Sequence, residues 1–298
     1  NGDPDRPLIT GRVHNALNMP SWELPEQHAL TGLRSRELTP GGGNAAAGRS
    51  NHLILDDTAQ SIQVQLKSDH QHSQLSLGDI TRIDSHSGRQ DARGQGFELR
   101  TDGHGAVRAK DGLLITTEAR PAASAHHTDL KETAARLGQA QGQHFKLAEL
   151  AQTHRAQGGQ DQLETAKELQ AQWREVKGND RAAPRDELQA PHLVLASPAG
   201  IASTTEGSTH QHSQGHHAVT AERHISLSSE HSLLASAKAA IKLFAYKAGV
   251  KLISAKADID VQALEQNLRL LAKLDITQQA NRIHITAQQE VVINGAGS

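Results

Sequence analysis

Val219, Ala221, Arg223, Ile225, Leu227, Ser229, His231, Leu233, Ala235, Ala237, Ala239, Ile241, Leu243 and Ala245 occupy every odd position of one stretch. The even positions between them are mostly polar, among them Thr220, Glu222, His224, Ser226, Ser228, Glu230, Ser232, Ser236, Lys238 and Lys242. Leu234, Ala240, Phe244 and Tyr246 are the exceptions. Strict period-two alternation predicts extended chain with one face dry and the other wet. The phase slips near Lys247–Leu252, where Val250 and Leu252 fall on even positions. It resumes on odd ones at Ile253, Ala255, Ala257, Ile259, Val261 and Ala263. It moves to even positions at Leu268, Leu270, Ala272, Leu274 and Ile276, then back to odd ones from Ile283 to Ile293. A one-residue bulge at each break produces such a slip without ending the strand path.

A longer period lies over the first. Ile225, Leu233, Ile241, Val250, Ile259, Leu268, Ile276, Ile283 and Val291 lead successive apolar pairs, with a mean spacing of 8.25 residues. Between Val219 and Ile293 the only glycine is Gly249, and no proline follows Pro198. A meander or sandwich needs a reversing turn every roughly 8–12 residues, usually built from Gly, Asn, Asp or Pro. A single-chain solenoid must also turn its own backbone at every rung. Neither set of turns is written here. Each repeat exposes a narrow apolar stripe that it cannot cover itself. Several identical chains winding about one axis solve this, and three strands enclose a small interior without a channel. The fold class expected is therefore mainly β: an elongated, intertwined trimeric triple-stranded β-helix with an inserted α-helical hairpin. Its trimer core is expected at Ile225, Leu227, Leu233, Ile241, Leu243, Ile259, Val261, Leu268, Leu270, Ile283 and Ile285.

Composition agrees with a rod more than with a pocket enzyme. The 298 residues hold three Phe, two Trp and one Tyr, few rings for filling a core or lining a pocket. Whatever core exists is expected to be thin and built from Ala, Ile, Leu and Val. There is no cysteine, which excludes disulfides, thiolate nucleophiles and cysteine metal sites. The net charge of −2 gives no field that favours nucleic acid. No apolar run approaches a membrane span and no signal peptide opens the chain; the first residue, Asn1, suggests a fragment.

Upstream, short apolar runs alternate with turn signals. Leu8–Val13 reads as a strand, and Gly41–Gly48 as a flexible loop. Leu53/Leu55, Ile62/Val64/Leu66, Leu75/Leu77, Phe97/Leu99, Val107/Ala109 and Leu113/Ile115 read as further short strands, with turns at Asp102-Gly103 and Asp111-Gly112. Over about 121–190 the period changes. Leu130, Ala134, Leu137, Leu147, Leu150 and Ala151 form one helical stripe; Leu163, Ala166, Leu169, Trp173 and Val176 form a second. Thr128 is placed to cap the first helix, Gly158-Gly159 to break between the two, and Ala182–Arg185 to return the chain to β.

Chemical candidates are few. Nineteen histidines raise the question of metal, with Asp69-His70-Gln71-His72 and His210/His212/His216/His217 as clusters, but exposed polar residues on a rod are the favoured reading of them. His231 sits in the inward phase, where three copies would bring an axial ion within reach. Arg223 is inward too and would hold an anion or mark a wetter section. His-Glu-x-x-His and Gly-x-Ser-x-Gly are absent, and Gly94-Gln95-Gly96 lacks the third glycine of a phosphate loop. Asp56 and Asp57 are adjacent, so on a strand they point to opposite faces and cannot share acid–base work. No catalytic residue, cofactor or firm metal site is expected.

Several segments resemble the VgrG spike proteins of type VI secretion systems. Gly2–Val13 resembles the last strand of that family's oligonucleotide/oligosaccharide-binding (OB) barrel, and Asn18-Met19-Pro20-Ser21-Trp22 its following linker. Asn51–Thr58 resembles the first spike strand, Arg93–Asp102 an early spike segment, and Pro198–Ile201 with the eight-residue repeats the C-terminal needle. Val–Gly repeats are scarce, so spacing and flanking segments carry the likeness. The resemblance implies four parts: the end of an OB-type barrel and linker (1–50), the first part of the spike (51–120), a helical hairpin insertion (121–190) and the needle (191–298). It implies a homotrimeric, non-enzymatic puncturing spike on a contractile needle. Such a spike bears effector proteins, sits on a hexameric tube protein through a base missing here, and enters a target cell envelope. A PAAR-like cone tip protein would dock at Val291, Val292, Ile293, Asn294 and Gly295. The protein would be cytoplasmic on synthesis and then leave through the apparatus. An adhesin or receptor-binding fibre is the alternative from another class, and a β-solenoid polysaccharide enzyme a third.

Overall fold

Leu30–Arg34 (β1), Asn51–Asp56 (β2), Gln63–Ser68 (β3), Ser73–Asp84 (β4) and Gly88–Arg100 (β5) form one antiparallel sheet in sequential order. These positions come from a computed structural model that describes residues 13–15, 19–38, 49–84, 87–157, 161–178 and 188–295. The predicted strand at Leu8–Val13, the loop at Gly41–Gly48, the break at Gly158-Gly159 and the return segment Ala182–Arg185 lie wholly or mainly outside the described residues. Gly78 in β4 has φ 105°, and a Cβ there would sit 2.4 Å from the Ile62 carbonyl oxygen, so the close approach of β3 and β4 requires glycine. Leu113–Thr116 (β6) and Leu193–Ala196 (β7) make a second, parallel pair. Parallel pairing needs a long crossover, and residues 117–192 supply it. The expected strand at Val107/Ala109 is absent: the chain there is irregular.

The chain divides into two compact units that do not follow sequence order: Asn1–Asp129 with Val176–Ser203, and Leu130–Glu175 with Thr204–Ser298. In the first unit, Trp22, Leu30, Ile54 and Ile83 form the apolar cluster. Trp22, read from sequence as part of a linker, is thus a core residue.

The second unit holds the helices Lys131–Thr153 (α1) and most of Asp161–Lys177 (α2), together with the tail. Ala134, Ala151 and Ala166 of the predicted stripes are buried, as is Ala148, which the stripe left out, while Leu137 and Leu147 of the stripe are exposed. The Trp173 indole N–H donates to the Ala134 carbonyl at 2.8 Å and ties the helices together. Thr128 does not cap α1. Its hydroxyl pairs with His126 Nδ1 at 2.9 Å, and the capping position belongs to Leu130, which makes no side-chain cap bond.

Candidate functional site

The register of the five-stranded sheet assembles two apolar ladders on one face. Leu55, Val64, Leu77 and Phe97 are direct cross-strand partners in sequence, and so are Leu33, Leu53, Leu66, Leu75 and Leu99. All nine are exposed, up to 76 % for Phe97. The opposite face is the buried one, and beside Ile54 it is largely polar. His52 Nε2–H donates to Gln65 Oε1 (2.8 Å), and the Gln65 amide donates to Ser76 Oγ (3.0 Å). Gln63 Oε1 accepts from the Thr81 N–H at 3.1 Å. Asp56, with its side chain fully buried, pairs with Arg89 and accepts the Thr58 hydroxyl at 2.6 Å. A core of Ala, Ile, Leu and Val alone was expected; instead His, Gln, Asp, Ser and Thr fill much of this interior, where His52, Gln63, Gln65, Ser76 and Asp56 are hydrogen-bonded and the buried Thr81 hydroxyl makes no side-chain bond.

Burial pushes the His52 imidazole below its ordinary value, outweighing the Gln65 bond and the nearby Asp69 carboxylate; Lys67 and Arg34 act with burial. Burial pushes the Asp69 carboxyl up, but bonds from the Ser50 N–H and hydroxyl, with Lys67 beside it, hold it below its ordinary value. Asp57, the first residue after β2, is exposed while Asp56 is buried, so the two carboxylates do not share one environment.

The tail is the second feature. From 197 to 295 no strand or hydrogen-bonded turn occurs, and among the described residues no backbone–backbone hydrogen bond joins one part of this segment to another. Yet it is not a straight strand. Gln143 of α1 donates to the Ala221 carbonyl at 2.9 Å, and the His154 ring lies 6.0 Å from Phe244 and 5.5 Å from Tyr246. Along a helix the eleven positions between Gln143 and His154 cover about 16 Å. The 23 positions from Ala221 to Phe244 would cover about 75 Å if fully extended. The tail therefore advances along α1 by only a small part of its extended length. At the predicted phase slip, Gly249 takes φ 85°.

The hairpin meets the even phase. Thr165 Oγ1 lies 3.3 Å from His216 Nδ1, Glu222 joins α1 residues around a cleft, and Phe244 and Tyr246 receive His154. The apolar exceptions Phe244 and Tyr246 were the sequence signal for this contact. Ile225, Leu227, Leu233, Ile241, Leu243, Ile259, Val261, Leu268, Leu270, Ile283 and Ile285 are all exposed in the single chain, by 53–72 %. Val291, Val292, Ile293, Asn294 and Gly295 are exposed at its end. His231 is exposed. His210 and His212 lie on one side with ring centroids 6.4 Å apart, and no group of three potential metal ligands occurs among the described residues.

The sheet thus leaves its apolar ladders exposed, and the tail has no backbone ladder of its own among the described residues. The model for the putative type VI secretion system Rhs element Vgr matches residues 43–151, and that for an uncharacterized protein family conserved in bacteria (DUF2345) matches 180–298. The type VI secretion system spike protein VgrG2b of Pseudomonas aeruginosa is 31% identical over 291 residues, covering 94% of this chain and 27% of that protein. VgrG2a of the same organism is 31% identical over 281 residues, covering 94% and 32%. The fold is similar to that of the VgrG spike from the type 6 secretion system, with a TM-score of 0.70 at 22% identity over 89% of this chain and 91% of that one. It is similar also to a VgrG spike solved with the Tle1 effector bound, with a TM-score of 0.69 at 22% identity over 89% and 74%. The chain belongs to the VgrG family of type VI secretion spike proteins. It spans about a third or less of the length of the relatives it matches throughout.

Proposed function

We propose that this chain forms the shaft of a type VI secretion spike, in which three copies wind into a triple-stranded β-helix that transmits force into a target envelope. The observation that carries this reading is the tail: it keeps an alternating apolar phase exposed while making no backbone ladder with itself. Unpaired backbone groups are costly once removed from water, and neighbouring strands from two further copies satisfy them. The same association buries the eleven apolar residues named for the trimer core. In the sheet, the ladder from Leu33 to Leu99 and that from Leu55 to Phe97 supply a second apolar face for the same partners. The polar interior of the sheet holds that face flat.

The work is mechanical, so a rigid shaft and a docking end suffice and no active site is required of these residues. The exposed Val291–Gly295 segment, brought together from three copies, offers a small apolar platform for a cone-shaped tip protein. The hairpin acts as an external rib on the even face of the tail. Effectors ride on the assembly, and a base outside this chain joins it to the tube. In this reading the protein is made in the cytoplasm and exported through the apparatus; no described helix is long and apolar enough to cross a membrane. Pull-down of a PAAR-like tip protein tests the docking end: removing residues 291–298 abolishes capture while the particle mass is unchanged. Full capture by the truncated chain rejects the assignment.

A further inference from the structure

We propose that a tetrahedral oxyanion, phosphate or sulfate, sits on the threefold axis of the assembled tail, held by Arg223 of each chain. The inference rests on the three-chain reading above. Between 193 and 245, the titratable side chains on odd positions are His217, Arg223 and His231, all cationic or neutral. The acidic residues of the same stretch, Glu206, Glu222 and Glu230, all occupy even positions. The structure shows which phase meets the hairpin: His216, Glu222, Phe244 and Tyr246 do so and each is even. The odd phase is turned away from it. Arg223 is exposed in the single chain, lies between the apolar positions Ala221 and Ile225, and has no ion-pair partner among the described residues.

Three chains in register bring three guanidinium groups toward one axis, with no carboxylate on that face to neutralise them. Like charges gathered in an apolar interior are strongly unfavourable unless paired. An anion supplies the missing charge. Guanidinium forks bind oxyanions through paired, charge-assisted hydrogen bonds, and a tetrahedral oxyanion has a threefold axis of its own, so each arginine meets an equivalent edge. His231 follows Arg223 by eight positions, one repeat farther along, where its ring N–H groups form a second donor layer. The odd positions flanking Arg223, Ala221, Ile225 and Leu227, are apolar, so no side chain beside it in that phase shares its charge.

The test is calorimetric titration of the full chain with inorganic phosphate in chloride buffer at constant ionic strength, with particle mass measured on the same sample. The expected result is saturable uptake of one phosphate per three chains, weakened at least about tenfold in Arg223→Gln and unchanged in Lys238→Gln, which alters an even position. Sulfate competes with it. A three-chain particle that takes up no phosphate, or whose uptake persists in Arg223→Gln, overturns the anion site and leaves the trimer standing. A single-chain particle removes the axis and rejects both.

Discussion

Residues 51–100 and residues 197–295 are both written in alternating residues, yet they resolve their backbones in opposite ways. The first region pairs β2 to β5 with itself and buries a polar network, leaving its apolar face open. The second runs along α1 with no backbone ladder of its own, its even phase touched by the hairpin and its odd phase exposed. The difference lies in the turns: β3 and β4 are joined through a tight turn at His70–His72 with Gln71 at φ 54°, whereas the tail has only Gly249 in the left-handed region. Alternation alone therefore sets the faces, and turn chemistry decides whether a chain can be its own neighbour.

The largest effect that separates the two regions is expected from Ile241→Asp. Three carboxylates on the closed axis cost several kcal/mol each when unpaired, so the particle dissociates in sedimentation velocity while the sheet stays folded. Lys242→Asp, one position away on the even phase, leaves the mass unchanged; equal disruption by both would break the phase assignment. Next comes Asp56→Ala, which strands Arg89 beside a buried gap and costs about 3–5 kcal/mol. Hydrogen exchange then rises across β2 to β5, with the tail's association intact.

A pH effect follows from His52. Its folded imidazole resists protonation, so as pH falls below about 6.5 the unfolded chain takes up the proton first. Sheet stability is full above that pH and declines below it, and His52→Gln flattens the thermal melting profile between pH 7.5 and 5. Asp69, held below its ordinary value, adds its own loss only at pH near and below 3.8. The smallest effect sharpens the account of the hairpin: Gly142→Ala, with nothing within 4 Å of the new methyl, stabilises α1 by about 0.5–1 kcal/mol. Gly138→Ala meets the Trp173 indole nitrogen at 3.0 Å and gains less or loses stability in the same melt.

Much of this was legible in the residues. The two helices, the strand positions around Leu53, Val64, Leu75 and Phe97, and the slip at Gly249 follow from period and turn content. The polar interior was not, because His52, Gln63 and Gln65 on a strand look like a solvent face until cross-strand register supplies their partners. Trp22 was hidden for a related reason: its Pro-flanked context reads as a connector, and only the contact with Leu30, Ile54 and Ile83 makes it a core residue. β1 and β7 are too short and too polar in their surroundings to stand out by alternation. Phe244 and Tyr246 broke the even-phase pattern visibly, but the partner that explains them, His154, is 90 positions away from Phe244.

Multi-angle light scattering of the full chain tests the central claim most directly. The account predicts a particle of three times the 32.0 kDa chain mass that holds together on dilution. A stable particle of one chain mass, with the tail amides protected from exchange, would contradict it.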